Sequence, residues 1–165
     1  MSQRIELESS DDNVCFGCGL ENPMGLKLRF YREGDRVVTE CLPNKWWSGQ
    51  PGIVNPGITY AVLIDLIIWT AGAILNRVPL LPKTIDIKLG DLSTKRPFSG
   101  GAWIVKRDGP IAQIRAEITQ DGVTRAWLEV EAKSVTRAEY AKARPFVEIP
   151  DSLQGYFEGE TIPAA

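Results

Sequence analysis

The chain has 165 residues, 44% of them hydrophobic, enough for one domain that buries a real core without covalent staples. Nineteen basic against 21 acidic residues leave a net charge of −2, and the absence of any basic stripe or basic-aromatic cluster argues against a nucleic-acid partner. There is no histidine, which removes the commonest general base and any imidazole metal ligand.

Residues 1–14 open as MSQRIELESSDD, without the basic-then-apolar layout of a secretory leader, and are expected to be a tail before a domain spanning 15–134. The three cysteines, Cys15, Cys18 and Cys41, are an odd number. No disulfide framework is expected, and a reducing cytoplasm fits best. Cys15 and Cys18 form a single C-x-x-C followed by Gly19. With no second pair and no histidine, the spacing reads as a tight turn before the first strand and no metal site is expected.

LKLRFYREGDRVVTECL gives two β-rich arms about the turn Glu33-Gly34-Asp35. Trp46 and Trp47, beside Ser48-Gly49, read either as packing anchors or as the lining of an acyl or aromatic pocket. A helix then starts at Asn55, a good N-cap, with Pro56 in the first turn, and stops before Asn76-Arg77-Val78-Pro79. It is apolar on every side except for Asp65. A membrane span is not expected, since the segment holds a central acid, stands alone and lacks a basic flank before it. The other setting for such a helix is inside the protein, wrapped by a sheet. An ionised carboxylate there costs several kcal/mol, so Asp65 reads either as a buried acid bonded to nearby donors or as a base with a raised pKa in a pocket.

KTIDIKLGDLSTKRPF, GGAWIVKRDG, IAQIRAEITQDG and VTRAWLEVEAKSV follow as strands separated by Gly-containing turns. In the last, Thr124, Ala126, Leu128, Val130 and Ala132 alternate with Val123, Arg125, Trp127, Glu129 and Glu131, the pattern of a half-buried antiparallel strand. Lys95 and Arg96, before Pro97, read as a solvated strand end or as contacts for phosphates at a pocket mouth. Residues 135–165 turn polar and Pro-rich, a short helix with an extended tail.

CFGCGLENPMGLKLRF, PGIVNPG and RPFSGG together resemble the hotdog-fold thioesterase superfamily, over about 15–134. The resemblance implies an α+β fold, an antiparallel sheet wrapped round one long helix, and a homodimer or dimer of dimers. It implies a soluble protein acting on an acyl thioester, with coenzyme A as part of the substrate and no separate cofactor. In that family the amides at the helix start polarise the thioester carbonyl and a carboxylate from the facing subunit supplies the base. Here Asn55-Pro56-Gly57 stands where the family usually reads His-Gly-Gly, and Ile64 stands where it carries its acid. Asp65 lies one residue further on, a turn of roughly 100° round the helix.

The expected site is therefore Asp65, Asn55 and the Gly57 amide as catalytic groups, with Trp46, Trp47, Ile58, Ile64, Lys95 and Arg96 as substrate contacts. Three functions stay open: a thioester hydrolase with an altered site, a non-hydrolytic acyl-CoA or hydrophobic-ligand binder, and a lyase, dehydratase or isomerase on the same fold.

Overall fold

The computed structural model describes residues 3–149 and 153–160. Its main sheet has seven antiparallel strands in the order β1-β2-β3-β7-β8-β9-β6. They are β1 (Arg4–Leu7), β2 (Phe30–Glu33), β3 (Arg36–Cys41), β6 (Pro79–Leu89), β7 (Phe98–Asp108), β8 (Ile111–Gln120) and β9 (Val123–Ser134). A small ribbon, β4 (Ser48–Gln50) with β5 (Ile53–Val54), leads into the single long helix.

That helix, α1 (Pro56–Thr70), continues through a π-helical turn, Ala71–Leu75, and ends at Asn76 in the left-handed conformation with φ 55°. By length and apolarity Pro56–Leu75 would cross a membrane. Here it lies on the sheet, against β3, β7, β8 and β9, as its all-round apolarity predicts for a core helix. Leu63, Leu66 and Ile67 are fully buried in a core where Ala102, Ala112, Ala116, Ala126 and Ala132 are interspersed with Ile114, Ile118, Leu128 and Val130 on the sheet. The alternation along β8 and β9 sends one set of residues to this face and the charged set outward.

Two expectations are amended. Residues 1–14 are not wholly a tail, because Arg4–Leu7 pair with Leu7↔Phe30 to Arg4↔Glu33 register on β2. The strand alternates polar and apolar residues, Arg4-Ile5-Glu6-Leu7, but over only four positions at the sheet margin, three of them exposed. The segment after Ser134 forms α2 (Arg137–Ala143), capped by a Thr136–Glu139 capping box. It then returns over its own chain. Tyr140 and Phe157 pack edge to face at 5.4 Å, Glu158 N–H donates to Val135 O at 2.9 Å, and Arg77 pairs with Glu158 at 3.2 Å. Of the expected extended tail, 150–152 and 161–165 lie outside the described residues.

The glycines of RPFSGG have separate roles. A Cβ on Gly100 would stand 2.8 Å from Leu66 Cδ1 and 3.0 Å from Thr39 Cγ2, whereas one on Gly101 meets the flexible tip of Arg36 at 3.2 Å and Val38 Cγ1 at an ordinary 3.9 Å. Gly100 thus sets how closely α1 approaches β7. Gly100→Ala is expected to cost about 1–3 kcal/mol by overpacking, while Gly101→Ala stays within about 0.5 kcal/mol; urea unfolding of the two variants distinguishes them.

Candidate functional site

The sequence-predicted residues separate into two places along α1. At its N-terminal end, Asn55 caps the helix: its Oδ1 accepts from Gly57 N–H at 2.8 Å, and its backbone carbonyl accepts from Ile58 N–H at 2.9 Å and Thr59 N–H at 3.1 Å. Pro56 has no N–H. The donors expected to polarise a carbonyl are therefore already engaged by Asn55. Its Nδ2 lies beside Gly49, where a glycine Cβ would come within 3.5 Å of it.

Asn55 N–H donates to Trp47 O at 2.7 Å, and Val54 N–H to Leu92 O at 2.8 Å. These bonds bring the Trp47 and 91–96 loops to the helix start. Gln120, buried in the sheet, ties the second loop down by donating to Ser93 O at 3.1 Å and Arg96 O at 2.9 Å while accepting from Ser93 N–H at 2.7 Å. Trp47 is half-buried against the core. Trp46 is 79% exposed, its ring covered only by the Lys45 ammonium at 4.6 Å. Lys95 is exposed, and Arg96 pairs with Asp121 at 2.6 Å. Ile58 is half-buried, and Ile64 falls with Tyr60 and Ile68 on a stripe of α1 that its own sheet leaves partly uncovered.

Asp65 stands apart from this cluster. It is eight residues beyond Gly57, about 12 Å along the axis, and its side chain is 8% exposed. It faces the N-terminal turn of its own chain, where the Cys15 thiol donates to Asp65 Oδ2 at 3.9 Å. Gly17 is required for that approach, since a Cβ there would lie 2.0 Å from Asp65 Oδ2. The sulfurs of Cys15 and Cys18 and the carboxylate all lie within 4.8 Å of one another. The C-x-x-C is a tight turn, as its spacing suggests, with Gly19 N–H donating to Cys15 O at 2.9 Å. What the spacing does not disclose is its third neighbour, 50 residues away in sequence. A donor also reaches Cys18: Asn13 Nδ2 lies 3.7 Å from its sulfur.

These groups open onto a cleft of about 600 Å³. Its floor is Asp65, Ile68, Trp69 and Gly72, one wall is the segment from Leu7 to Cys18, and the other is Tyr140, Arg144 and Tyr156. Burial raises the Asp65 carboxyl to about 6 against the lowering effect of the two thiols, and burial together with the Asp65 charge pushes Cys18 up to about 12. All three cysteines are free thiols.

No family model matches the sequence, and no curated protein matches it. Solved structures do. A thioesterase superfamily protein superposes with TM-score 0.66 at 17% identity over 73% of this chain. The chain spans 60% of that protein's length. An apo-hexameric acyl-CoA thioesterase gives 0.59 at 8% identity, covering 63% of this chain and 71% of the other. An aspartate-to-alanine variant of an acyl-CoA hydrolase from Staphylococcus aureus gives 0.58 at 11% identity, covering 63% and 68%. This chain has the hotdog fold. The α+β architecture expected from the sequence, an antiparallel sheet with one long helix packed on it, is the architecture found.

The raised Asp65 carboxyl has a definite sign in stability. The folded chain keeps a proton up to about pH 6 that the unfolded chain releases near 3.8, so the stabilisation is complete below the lower value and lost as pH rises through the upper. Wild type and Asp65→Asn are expected to be similarly stable near pH 4, and the variant more stable by about 2–3 kcal/mol near pH 7. Denaturant titrations at the two pH values measure the difference.

Proposed function

We propose that this hotdog protein binds an acyl thioester of the acyl-CoA type at the N-terminal end of α1 without hydrolysing it there. One observation carries the reading: Asn55 engages the amides of Gly57, Ile58 and Thr59, leaving the helix start without the free, preorganised donors that a developing oxyanion needs. The apolar residue at 64 and the inward turn of Asp65 leave α1 itself without a carboxylate base at that end. Binding remains well supplied. Asn55 Nδ2 offers one donor, Trp47, Ile58 and Ile64 offer apolar surface, and Lys95 supplies an exposed cation beside the ribbon for a phosphate. The free thiols fit a reducing compartment such as the cytoplasm.

The expected homodimer has support in the sheet edge. Among the described residues β6 bonds only to β9; it is exposed from Pro82 to Leu89, and displays Ile85, Ile87 and Leu89 in alternation. A long edge with apolar residues on one face is a template for strand pairing. The uncovered α1 stripe of Tyr60, Ile64 and Ile68 gives a second apolar surface to the same assembly. Ile85→Lys with Ile87→Lys is expected to reduce the sedimenting species to the mass of one chain; an unchanged mass would place the interface elsewhere.

A second reading, hydrolysis with Asp65 as base, has its own support in the opening of Asp65 onto the cleft. Calorimetric titration with short, long and aromatic acyl-CoAs, run beside a thiol-release assay, separates the two. The binding reading expects saturable heat and no thiol, with affinity weakened about tenfold by Trp47→Ala through loss of about 1.4 kcal/mol of contact. Thiol release abolished by Asp65→Asn would replace it with the hydrolase reading.

A further inference from the structure

The acyl-thioester reading leaves the Cys15–Cys18 turn and Asp65 without a use. We propose that Cys15, Cys18 and Asp65 bind one Zn²⁺, or a comparably thiophilic divalent cation, with the fourth coordination position open to the cleft.

Geometry is the first ground. The three ligand atoms lie within 4.8 Å of one another, with Cys15 Sγ and Asp65 Oδ2 at 3.9 Å. Tetrahedral zinc, with bonds of about 2.0–2.3 Å, holds its ligand atoms roughly 3.3–3.8 Å apart. Side-chain rotations closing the cluster by about an ångström therefore complete three corners.

The second ground is the surrounding shell. A thiol is a weak acceptor, but the Asn13 Nδ2 N–H group is directed at Cys18 Sγ at 3.7 Å. N–H donors on sulfur are the outer shell that a metal-bound thiolate requires. Asn13 is itself fixed, donating to Ser9 Oγ at 2.6 Å and accepting from Cys15 N–H at 2.8 Å. The turn is preorganised at both glycines: a Cβ would stand 2.0 Å from Asp65 Oδ2 at Gly17 and 2.4 Å from Asn13 O at Gly19.

Charge is the third. Three acidic groups meet here, and the neighbouring cations are committed elsewhere. Lys27 donates to the carbonyls of Gly19 and Leu20, Arg77 to Glu158 and Asn76 O, and Arg144 lies over the Tyr140 ring at 5.2 Å.

The donor set chooses the ion. Two sulfurs and one carboxylate oxygen suit zinc and disfavour magnesium or calcium, which take oxygen ligands. On binding, the two thiols and any protonated carboxyl release their protons to solvent. Three protein ligands with one open position is the arrangement in which zinc carries water or accepts a donor from a cleft ligand.

Cobalt(II) titration of the chelator-treated, reduced full chain is the test, and it is independent of acyl-CoA binding. The expected result is one equivalent bound with a near-ultraviolet thiolate-to-cobalt band and intense visible bands of four-coordinate cobalt, all displaced by Zn²⁺. Both features are lost in Cys18→Ser. Because that buried position can compromise folding, Cys15→Ser, half-exposed, is expected to give the same loss, and Asn13→Ala is expected to weaken affinity by about tenfold. Absence of the thiolate band while both thiols titrate as free would overturn the proposal. So would cobalt uptake that survives Cys15→Ser, or a thiolate band unchanged in Asp65→Asn.

Discussion

The packing of α1 onto a sheet face where alanines are interspersed with larger apolar side chains fixes everything else in this molecule. Ala102, Ala112, Ala116, Ala126 and Ala132 lower that face, and Gly100 opens a place for Leu66, so the helix lies close to the strands. Dense contact of this kind leaves little freedom in the rotation of the helix about its own axis. Rotation then decides which residue faces what. Leu63, Leu66 and Ile67 go to the sheet, the Tyr60–Ile64–Ile68 stripe turns away from it, and Asp65 is directed at the N-terminal turn.

Because rotation is fixed, a displacement of one position in sequence becomes a change of chemistry. Ile64 lies on the partly uncovered stripe, where a partner chain can approach. A carboxylate at 65 instead points into its own chain and meets two thiols. The two ends of the helix accordingly carry different equipment, one a capped start bordered by loops with exposed cations, the other a cleft floored by a buried acid. The chain after Ser134 contributes only to the second, since Tyr140, Arg144 and Tyr156 form its far wall.

Most of the architecture was legible in the sequence for physical reasons. A helix apolar on all sides has few settings in water, and Asn55-Pro56 and Asn76 to Pro79 mark its ends with caps and breakers. The strands of the sheet centre show alternation because one face of each is buried. β1 was missed for the converse reason: Arg4–Leu7 alternates over only four positions at the sheet margin, a run too short and too exposed to stand out from the polar residues around it. In the candidate site, the N-cap role of Asn55 could be read from residue type alone. That the same residue would occupy the amides of Gly57 and Ile58 is a matter of angles that composition does not encode. The partnership of Asp65 with Cys15 and Cys18 is a contact across 50 residues, and a C-x-x-C motif names only two of its members.

The lack of histidine sharpens the meaning of that partnership. A buried carboxylate beside two thiols has three routes to neutrality: retaining its proton, pairing with a basic side chain, or sharing a cation. The second is closed, since the chain has no imidazole and the nearby lysine and arginines are bonded elsewhere. Retaining protons accounts for the raised Asp65 and Cys18, but it gives no role to the Asn13 N–H donor on Cys18 sulfur, which favours a thiolate. A thiophilic cation reconciles these features: it removes the protons, uses the donor and compensates the charge that burial otherwise penalises.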